Sequence, residues 1–304
     1  MQFQYSQCSN LCNEEMQRFD DCNPTELWLF GRKNNNLQIA WKMNSTPTKN
    51  TTNCIYMDFI NMNNGRHEWH VRVKKPQGFF SERVYQIGDK QRYDGTAIEG
   101  ALRFMEHRFR HPIDEKISIG IDYDSWPVEL SPFLKKFYKC IWSVKMSYTI
   151  YDSFMRFMEE STTKLQVVLF QKDENNLFRL PSTFAGTNVF EKLDRFHCLV
   201  PFEVSDEQFL NSKVRVLHMP KSSVSAAAIN QKLINWTMDE TCHDGFQIKP
   251  NDGWTQDTVL NNLTYQRLKR NVCILTKNGG GKGKLVFNPE TIAFVDEREP
   301  TYKS

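Results

Sequence analysis

The feature that most constrains the fold is an alternation of short β-prone runs with amphipathic segments, starting near residue 96. The runs begin near residues 117, 141, 165, 197, 214 and 246. Alternating β and α segments build a parallel sheet or an open solenoid with right-handed crossovers. The first three runs start about 24 residues apart, within the period of leucine-rich-type repeats, although the leucine signature itself is absent. We therefore predict an α/β fold of degenerate, leucine-rich-repeat-like βα units with parallel strands.

Local signals place several helices between these runs. Thr96 and Glu99 have the spacing of a capping box, and Ser131-Pro132 pairs an N-cap with a proline at the first helical position. Asp152 and Ser225 are predicted as further N-caps. A last helix is predicted over residues 255–270.

The C-terminal end of the chain has the pattern of a hairpin. NVCILTK and KLVFNPETIAFV flank the glycine-rich run NGGGKG, which is typical of a turn between antiparallel strands. The run is not a phosphate-binding loop, because Lys284 is not followed by Ser or Thr and no helix pattern begins there.

The first 65 residues have a different pattern. Short helices are predicted at residues 24–30 and 37–41, followed by a strand pair at residues 54–60 and 67–73. We therefore expect a small helical and β-hairpin N-terminal module before the repeat-like region.

Composition narrows the classes of protein to consider. The 304 residues suffice for one large domain or two, and 13% aromatic residues favour a packed core over disorder. The net charge of +3 comes from interleaved basic and acidic residues, so we expect no nucleic-acid partner. No apolar run is long enough to span a membrane and no secretory signal opens the chain, so an intracellular protein is expected, its eight cysteines reduced.

Four passages carry a family resemblance. They are HEWHVRV, ALRFMEHRFRHPIDEKISIGIDYDSWP, EQFLNSKVRVLHMPKSSVSAAAINQKLINW and LKRNVCILTKNGGGKGKLVFNPETIAFV. In this order the chain resembles the nematode F-box-associated proteins of the type-2 class, over about residues 67 to 295. The second passage, with its Asp-x-Asp-Ser-x-Pro strand exit, is the most specific.

The resemblance implies two domains and a function. Residues 1–65 would form a degenerate F-box-like helical segment and linker, and residues 66–304 an F-box-associated α/β repeat-like domain. The F-box would dock on the Skp-type adaptor of a cullin-RING ubiquitin ligase, while the second domain captures an unknown protein substrate. The chain departs from the pattern at its start, where the leading Phe-Pro-Leu segment is missing and GRKNNN replaces a cysteine-containing segment.

Candidate partner-binding residues follow from this interpretation. Pro24, Leu27, Trp28 and Phe30 would form the apolar helix face that docks on the adaptor. The alternative is that these residues pack only against the domain's own hairpin. Trp254 follows a loop-like Asn-Asp-Gly and is a second candidate contact, because tryptophan is enriched at interface hot spots.

Two alternatives stay open beside the ligase-subunit interpretation. The first is a stand-alone protein-binding domain that has lost adaptor docking. The second is an unrecognised hydrolase or metal enzyme that would use His197-Cys198 and Cys242-His243, although neighbouring residues on a strand point to opposite faces and rarely chelate one ion. We predict a non-enzymatic interaction module with no cofactor and no metal.

Overall fold

The computed structural model describes residues 24–32, 36–43, 53–62, 65–76, 82–109, 117–171, 178–240, 244–251 and 253–297. The chain forms two compact units, Met1–Val144 and Lys145–Ser304. The predicted division between residues 65 and 66 falls inside the first unit, between two paired strands.

The first unit combines an antiparallel meander with a parallel extension. Strands β1 to β5 pair in sequence as antiparallel neighbours. Strand β6 pairs parallel with β1, and β7 pairs parallel with β6, which gives the order β7-β6-β1-β2-β3-β4-β5. The elements are β1 (Pro24–Arg32), β2 (Asn36–Met43), β3 (Asn53–Asn61), β4 (Arg66–Pro76), β5 (Glu82–Asp94), α1 (Ala97–Arg108), β6 (Ser118–Asp122), α2 (Ser131–Leu134) and β7 (Ile141–Lys145).

The two short helices predicted before residue 42 are wrong, because both segments form strands. In β1, Leu27 and Leu29 are completely buried, whereas Glu26, Trp28 and Phe30 are only partly buried. This period of two is a strand pattern, and bulky aromatic and aliphatic side chains favour it. The strand pair predicted at residues 54–60 and 67–73 is confirmed as β3 and β4.

Helix α1 begins where the sequence predicts. Thr96 accepts a hydrogen bond from the Glu99 backbone N–H, and the Glu99 side chain accepts one from the Thr96 N–H, completing the capping box. The inner face of α1 buries Ala101 and Met105. The end predicted at His111-Pro112 lies outside the described residues.

The second unit has four parallel strands followed by an antiparallel set. Its strands run in the order β8-β9-β10-β11-β15-β14-β13-β12, parallel from β8 to β11 and antiparallel beyond. The elements are α3 (Tyr148–Glu159), β8 (Leu165–Phe170), α4 (Asn188–Lys192), β9 (Leu193–Cys198), α5 (Asp206–Asn211), β10 (Val216–Val224), α6 (Ala226–Thr237), β11 (Gly245–Pro250), α7 (Gln256–Leu260), β12 (Tyr265–Lys269), β13 (Val272–Thr276), β14 (Lys282–Phe287) and β15 (Ile292–Asp296).

The mixed α/β class is confirmed, with parallel strands alternating with helices as predicted. Ser225 caps α6 by accepting from the Ala228 N–H, also as predicted. The cap predicted at Asp152 is wrong, because α3 begins five residues earlier and Ser147 occupies the N-cap position.

The helix predicted over residues 255–270 is only partly present. Helix α7 ends at Leu260, and Asn262 has a φ of 58°, in the left-handed region that ends helices. The chain then turns into β12, which pairs with β13. The hairpin predicted around NGGGKG is confirmed as β13 and β14.

Candidate protein-interaction face

Three helices of the second unit pack against the same face of its sheet. Ring contacts connect Phe190 of α4 with Phe196 of β9 at 6.1 Å, and Phe209 of α5 with Phe246 of β11 at 5.6 Å. Trp236 of α6 lies 4.7 Å from Phe294 of β15. The three strand residues are at most 4% exposed. This face therefore forms the core between the sheet and its helices.

The opposite face carries the residues that alternate with this core, because successive side chains of a strand point to opposite sides. Cross-strand pairing aligns them into two rows. We call these two rows, together with Lys249, the open sheet face. The first row is Gln166, Arg195, Val216, Gly245, Val295, Lys284 and Ile274; the second is Val168, His197, His218, Gln247, Ala293, Val286 and Val272.

Apolar residues occupy the middle and one end of the open sheet face. Val295 is 41% exposed, high for a valine within a paired strand. Its partner in the first row is Gly245, where an added Cβ would lie 2.8 Å from the Phe294 carbonyl oxygen. The row therefore has no side chain at β11, next to an exposed valine.

Basic residues predominate on the open sheet face. Arg195 and Lys284 lie in the first row, and Lys249 follows Gln247 by two residues on β11. Lys249 and Lys284 are exposed, and Arg195 is partly buried. Neither row contains Asp or Glu. The face is thus apolar and mainly basic, with the exposed Glu297 at its edge, two residues beyond Val295.

Two histidines meet on the open sheet face. His197 of β9 and His218 of β10 are register partners, and their Nδ1 atoms are 3.3 Å apart. Burial lowers the pKa of His197 to about 4, and the charges of His218 and Arg195 add to the effect. Burial also lowers the pKa of His218. Both rings are therefore neutral near pH 7, one donating its Nδ1–H and the other accepting.

The structure distributes the predicted adaptor-docking residues over the two faces of β1. Leu27 is completely buried, and its side chain lies on the opposite face from Trp28 and Phe30. The Trp28 ring stacks on Phe30 at 5.9 Å and packs over Gly120 of β6. Pro24 opens the strand, and its side chain lies outside the described residues. The apolar helix face expected for docking is thus absent from β1.

Trp254, the other predicted contact residue, is partly buried. Its ring lies nearly parallel to that of Phe287, with centroids 6.1 Å apart and an interplanar angle of 15°. Trp142 and Trp236, predicted as core residues, are 0% and 1% exposed. Trp254 therefore packs within its own unit and presents only part of its ring.

The residues of the alternative hydrolase or metal site do not converge where they are described. Cys198 is buried, and its Sγ–H donates to the Val200 carbonyl oxygen at 3.4 Å, while His197 lies on the open sheet face. Burial raises the pKa of the Cys198 thiol to about 12, so it carries no thiolate near neutral pH. Cys242 and His243 lie outside the described residues. Within the described ranges, no group of three or more His, Cys, Asp or Glu side chains is arranged to hold a metal ion.

A cleft of about 530 Å³ lies beside the loops that follow β8 and β9. Arg179, Glu203 and Lys221 are among its lining residues. Arg179 and Glu203 pair at 3.7 Å, with side chains 69% and 73% exposed. The walls of the cleft therefore carry charges of both signs.

Sequence reasoning missed the open sheet face and its histidine pair. The signal was present in the runs RFHC and VLHM, whose alternation places His197 and His218 on the side away from Phe196 and Leu217. Matching the two strands by these buried positions would have brought the histidines together.

No helix in the described part of the chain is both long and apolar enough to cross a membrane. Comparisons with protein-family models, with curated proteins and with solved structures found no match.

Proposed function

We propose that this chain is a non-enzymatic protein-interaction module that binds its partner through the open sheet face. The observation that carries the proposal is the one-sided packing of the second unit. Helices α4, α5 and α6 all contact the same face, which leaves the opposite face with an exposed valine and exposed lysines. Exposed apolar area bordered by polar groups is typical of protein-binding surfaces.

The strand spacing supports a repeat-like architecture for this role. Strands β6 to β11 begin at residues 118, 141, 165, 193, 216 and 245. These intervals lie within the range of leucine-rich-type repeats, roughly 20 to 29 residues. Repeat proteins of that kind bind partners through extended sheet surfaces, so we propose degenerate βα repeats as the framework of the interaction face.

The resemblance to F-box-associated proteins adds a biological context, in which the bound protein is delivered to a cullin-RING ubiquitin ligase. That delivery needs a docking surface for the Skp-type adaptor. The docking residues predicted here lie on a strand, and Leu27 is completely buried. We therefore favour the stand-alone binding domain over the ligase subunit.

The test compares two neutral substitutions at exposed apolar residues of the second unit. Val295→Gln changes the open sheet face, whereas Met238→Gln changes a 52% exposed residue just after α6, on the helix side. Proteins retained by the immobilised chain from a cell extract are quantified by mass spectrometry for the wild type and both variants. Each variant is first checked for an unchanged unfolding temperature.

We expect Val295→Gln to reduce retention of a specific set of proteins about tenfold, since burying a valine contributes roughly 1.5 kcal/mol or more. Met238→Gln should retain the same set as the wild type. If Val295→Gln retains the set unchanged, or the wild type retains nothing specific, the proposed function is wrong.

A further inference from the structure

The two histidines of the open sheet face are spaced like two ligands of one metal ion. The Nδ1 atoms of His197 and His218 are 3.3 Å apart. Zinc–nitrogen bonds are about 2.0–2.1 Å long, so two nitrogens bound to one tetrahedral ion lie roughly 3.3 Å apart. An ion beside the line between the two Nδ1 atoms would therefore be within bonding distance of both rings after small ring rotations.

The strands hold the two rings in this arrangement. His197 of β9 and His218 of β10 are register partners, and register partners on neighbouring strands present their side chains on the same face. Each strand also pairs on its outer side, β9 with β8 and β10 with β11. The adjacent residues Phe196 and Leu217 are buried on the other face. The pair thus stands on rigid elements, as a preorganised ligand pair requires.

Both rings have a lone pair to offer to a metal ion. They are uncharged near pH 7, and a neutral imidazole carries one hydrogen and one lone pair on its two ring nitrogens. In the hydrogen-bonded pair, one Nδ1 holds the hydrogen that the other accepts. When an ion binds, that hydrogen passes to Nε2 of the same ring, and both Nδ1 lone pairs bond to the ion. The hydrogen bond between the rings is exchanged for two metal bonds, with no net gain or loss of protons.

We propose that His197 and His218 bind one divalent transition-metal ion, such as Zn²⁺, through their Nδ1 atoms. Imidazole nitrogen suits Zn²⁺, Cu²⁺ and Ni²⁺, whereas Mg²⁺ and Ca²⁺ prefer oxygen ligands. Both rings are partly exposed, and helices α4, α5 and α6 contact the other face of the sheet. Water would take the remaining coordination positions. This inference goes beyond the proposed function and does not depend on it.

The surroundings of the pair determine the kind of binding to expect. Val168 and Gln247, which flank the pair in its row, are uncharged, and Arg195 lies two residues before His197 on the same face. The positive charge of Arg195 disfavours a cation, so affinity must come from directional bonds to imidazole and not from charge. With two protein ligands instead of three or four, binding should be reversible and weaker than at structural zinc sites.

The test measures Zn²⁺ binding to the full chain by equilibrium dialysis, after a chelator has removed any bound metal. The wild type is compared with His197→Gln, His218→Gln and the matched control His70→Gln. His70 lies in the first unit, with its Nε2 atom 3.3 Å from the Asp58 carboxylate. Comparing the variants isolates the site from zinc that other residues of the chain bind. The unfolding temperature of each metal-free variant is measured first.

We expect either substitution in the pair to weaken one zinc site at least about tenfold, because even changes outside the ligand set cost roughly 10- to 100-fold in metal affinity. His70→Gln should bind zinc like the wild type, and Mg²⁺ should not compete with zinc. Equal zinc binding by the wild type, His197→Gln and His218→Gln would overturn the inference. An equal loss of binding in His70→Gln would overturn it too.

A second measurement needs no variant, and it decides the question if a substitution prevents folding. In the wild type with isotope-labelled histidine, NMR follows the ring nitrogens of the seven histidines during a zinc titration. The Nδ1 signals of His197 and His218 should shift together. Shifts at other histidines alone, or at none, would contradict the inference. Because the chain is studied without a partner, that outcome would leave the proposed function of the open sheet face untouched.

Discussion

The partly buried histidine pair links the second unit's stability to pH. His197 and His218 face each other, with Val168 of β8 and Gln247 of β11 on the flanking strands and Arg195 two residues away on β9. The pKa of His197 is lowered from 6.5 to about 4. Between these values the unfolded chain binds a proton that the folded chain does not, so the free energy of unfolding falls as pH drops.

We predict that His197→Gln reduces this acid sensitivity. When the pH falls from about 7 to 5, the free energy of unfolding should decrease by about 2 kcal/mol more in the wild type than in the variant. Each pH unit below 6.5 contributes about 1.4 kcal/mol. Urea unfolding at the two pH values measures the difference. Equal decreases in the free energy of unfolding of the two proteins would contradict the lowered pKa of His197.

In the first unit, one buried carboxylate holds three strands together. Asp58 of β3 accepts hydrogen bonds from Arg72 of β4 at 2.6 and 2.9 Å and from Gln38 of β2 at 2.6 Å. His70 Nε2 lies 3.3 Å from the same carboxylate. The hydrogen bonds to Asp58 raise the pKa of the Arg72 guanidinium. The Gln38 side chain is buried and would lose this acceptor if Asp58 were removed.

We predict that Asp58→Ala lowers the free energy of unfolding by about 2–4 kcal/mol, because it removes an acceptor from buried or partly buried donors. The matched control is Asp94→Ala, whose 2.8 Å pair with Arg66 is 88% and 55% exposed. That exposed pair should contribute less than about 1 kcal/mol. Equal effects of the two substitutions on urea unfolding would show that the Asp58 cluster does not stabilise the meander.

At the scale of elements, the C-terminal hairpin packs on α6 through Gly283, where a larger side chain would be crowded. A Cβ on Gly283 of β14 would lie 2.5 Å from the Phe294 ring and 2.9 Å from the Trp236 ring. Both aromatic side chains are buried, at 1% exposure each. Close packing leaves them little room to move.

We predict that Gly283→Ala destabilises the fold by about 1–3 kcal/mol through overpacking. Gly186→Ala is the control, because no atom lies within 4 Å of its added Cβ and its φ is not positive. It should change stability by less than about 1 kcal/mol and in the stabilising direction. Thermal unfolding compares the two variants. An unchanged unfolding temperature in Gly283→Ala would contradict the close packing of Gly283 against Phe294 and Trp236.

The elements that the sequence predicted correctly share strong local signals. Thr96 and Ser225 cap helices through their own side chains, and the glycine run before Lys284 forms a turn. The wrong predictions concern segments whose conformation depends on pairing with other strands. Residues Pro24–Arg32 became a strand because they lie between β2 and β6, and Tyr265–Lys269 became a strand because it pairs with β13.

The candidate site was less predictable than the fold, for a physical reason. Arg195 and Lys284 are 89 residues apart in sequence, and only the order of the strands brings them into one row. The antiparallel return of β15 to β11, which places Val295 beside Gly245, has no local sequence signal. Periodicity showed which side chains of each strand share a face, but not which strands are neighbours.

At the scale of the whole molecule, the N-terminal strands bear on whether the chain is a ligase subunit or a stand-alone binding domain. We predict that the purified chain does not bind a Skp-type adaptor in a pull-down, because Leu27 lies inside the sheet. Trp28→Glu, at a partly exposed position of the same strand, is the informative variant. Binding by the wild type that Trp28→Glu abolishes would restore the ligase-subunit role.

The central claim is that a partner protein contacts the open sheet face and not the helices. Its most direct test is photo-cross-linking with benzoylphenylalanine introduced in place of Val295 or, separately, of Met238, both exposed residues of the second unit. The partner retained by the wild type should cross-link to position 295 and not to position 238. Cross-linking from position 238 alone, or from neither position while the partner remains bound, would contradict the claim.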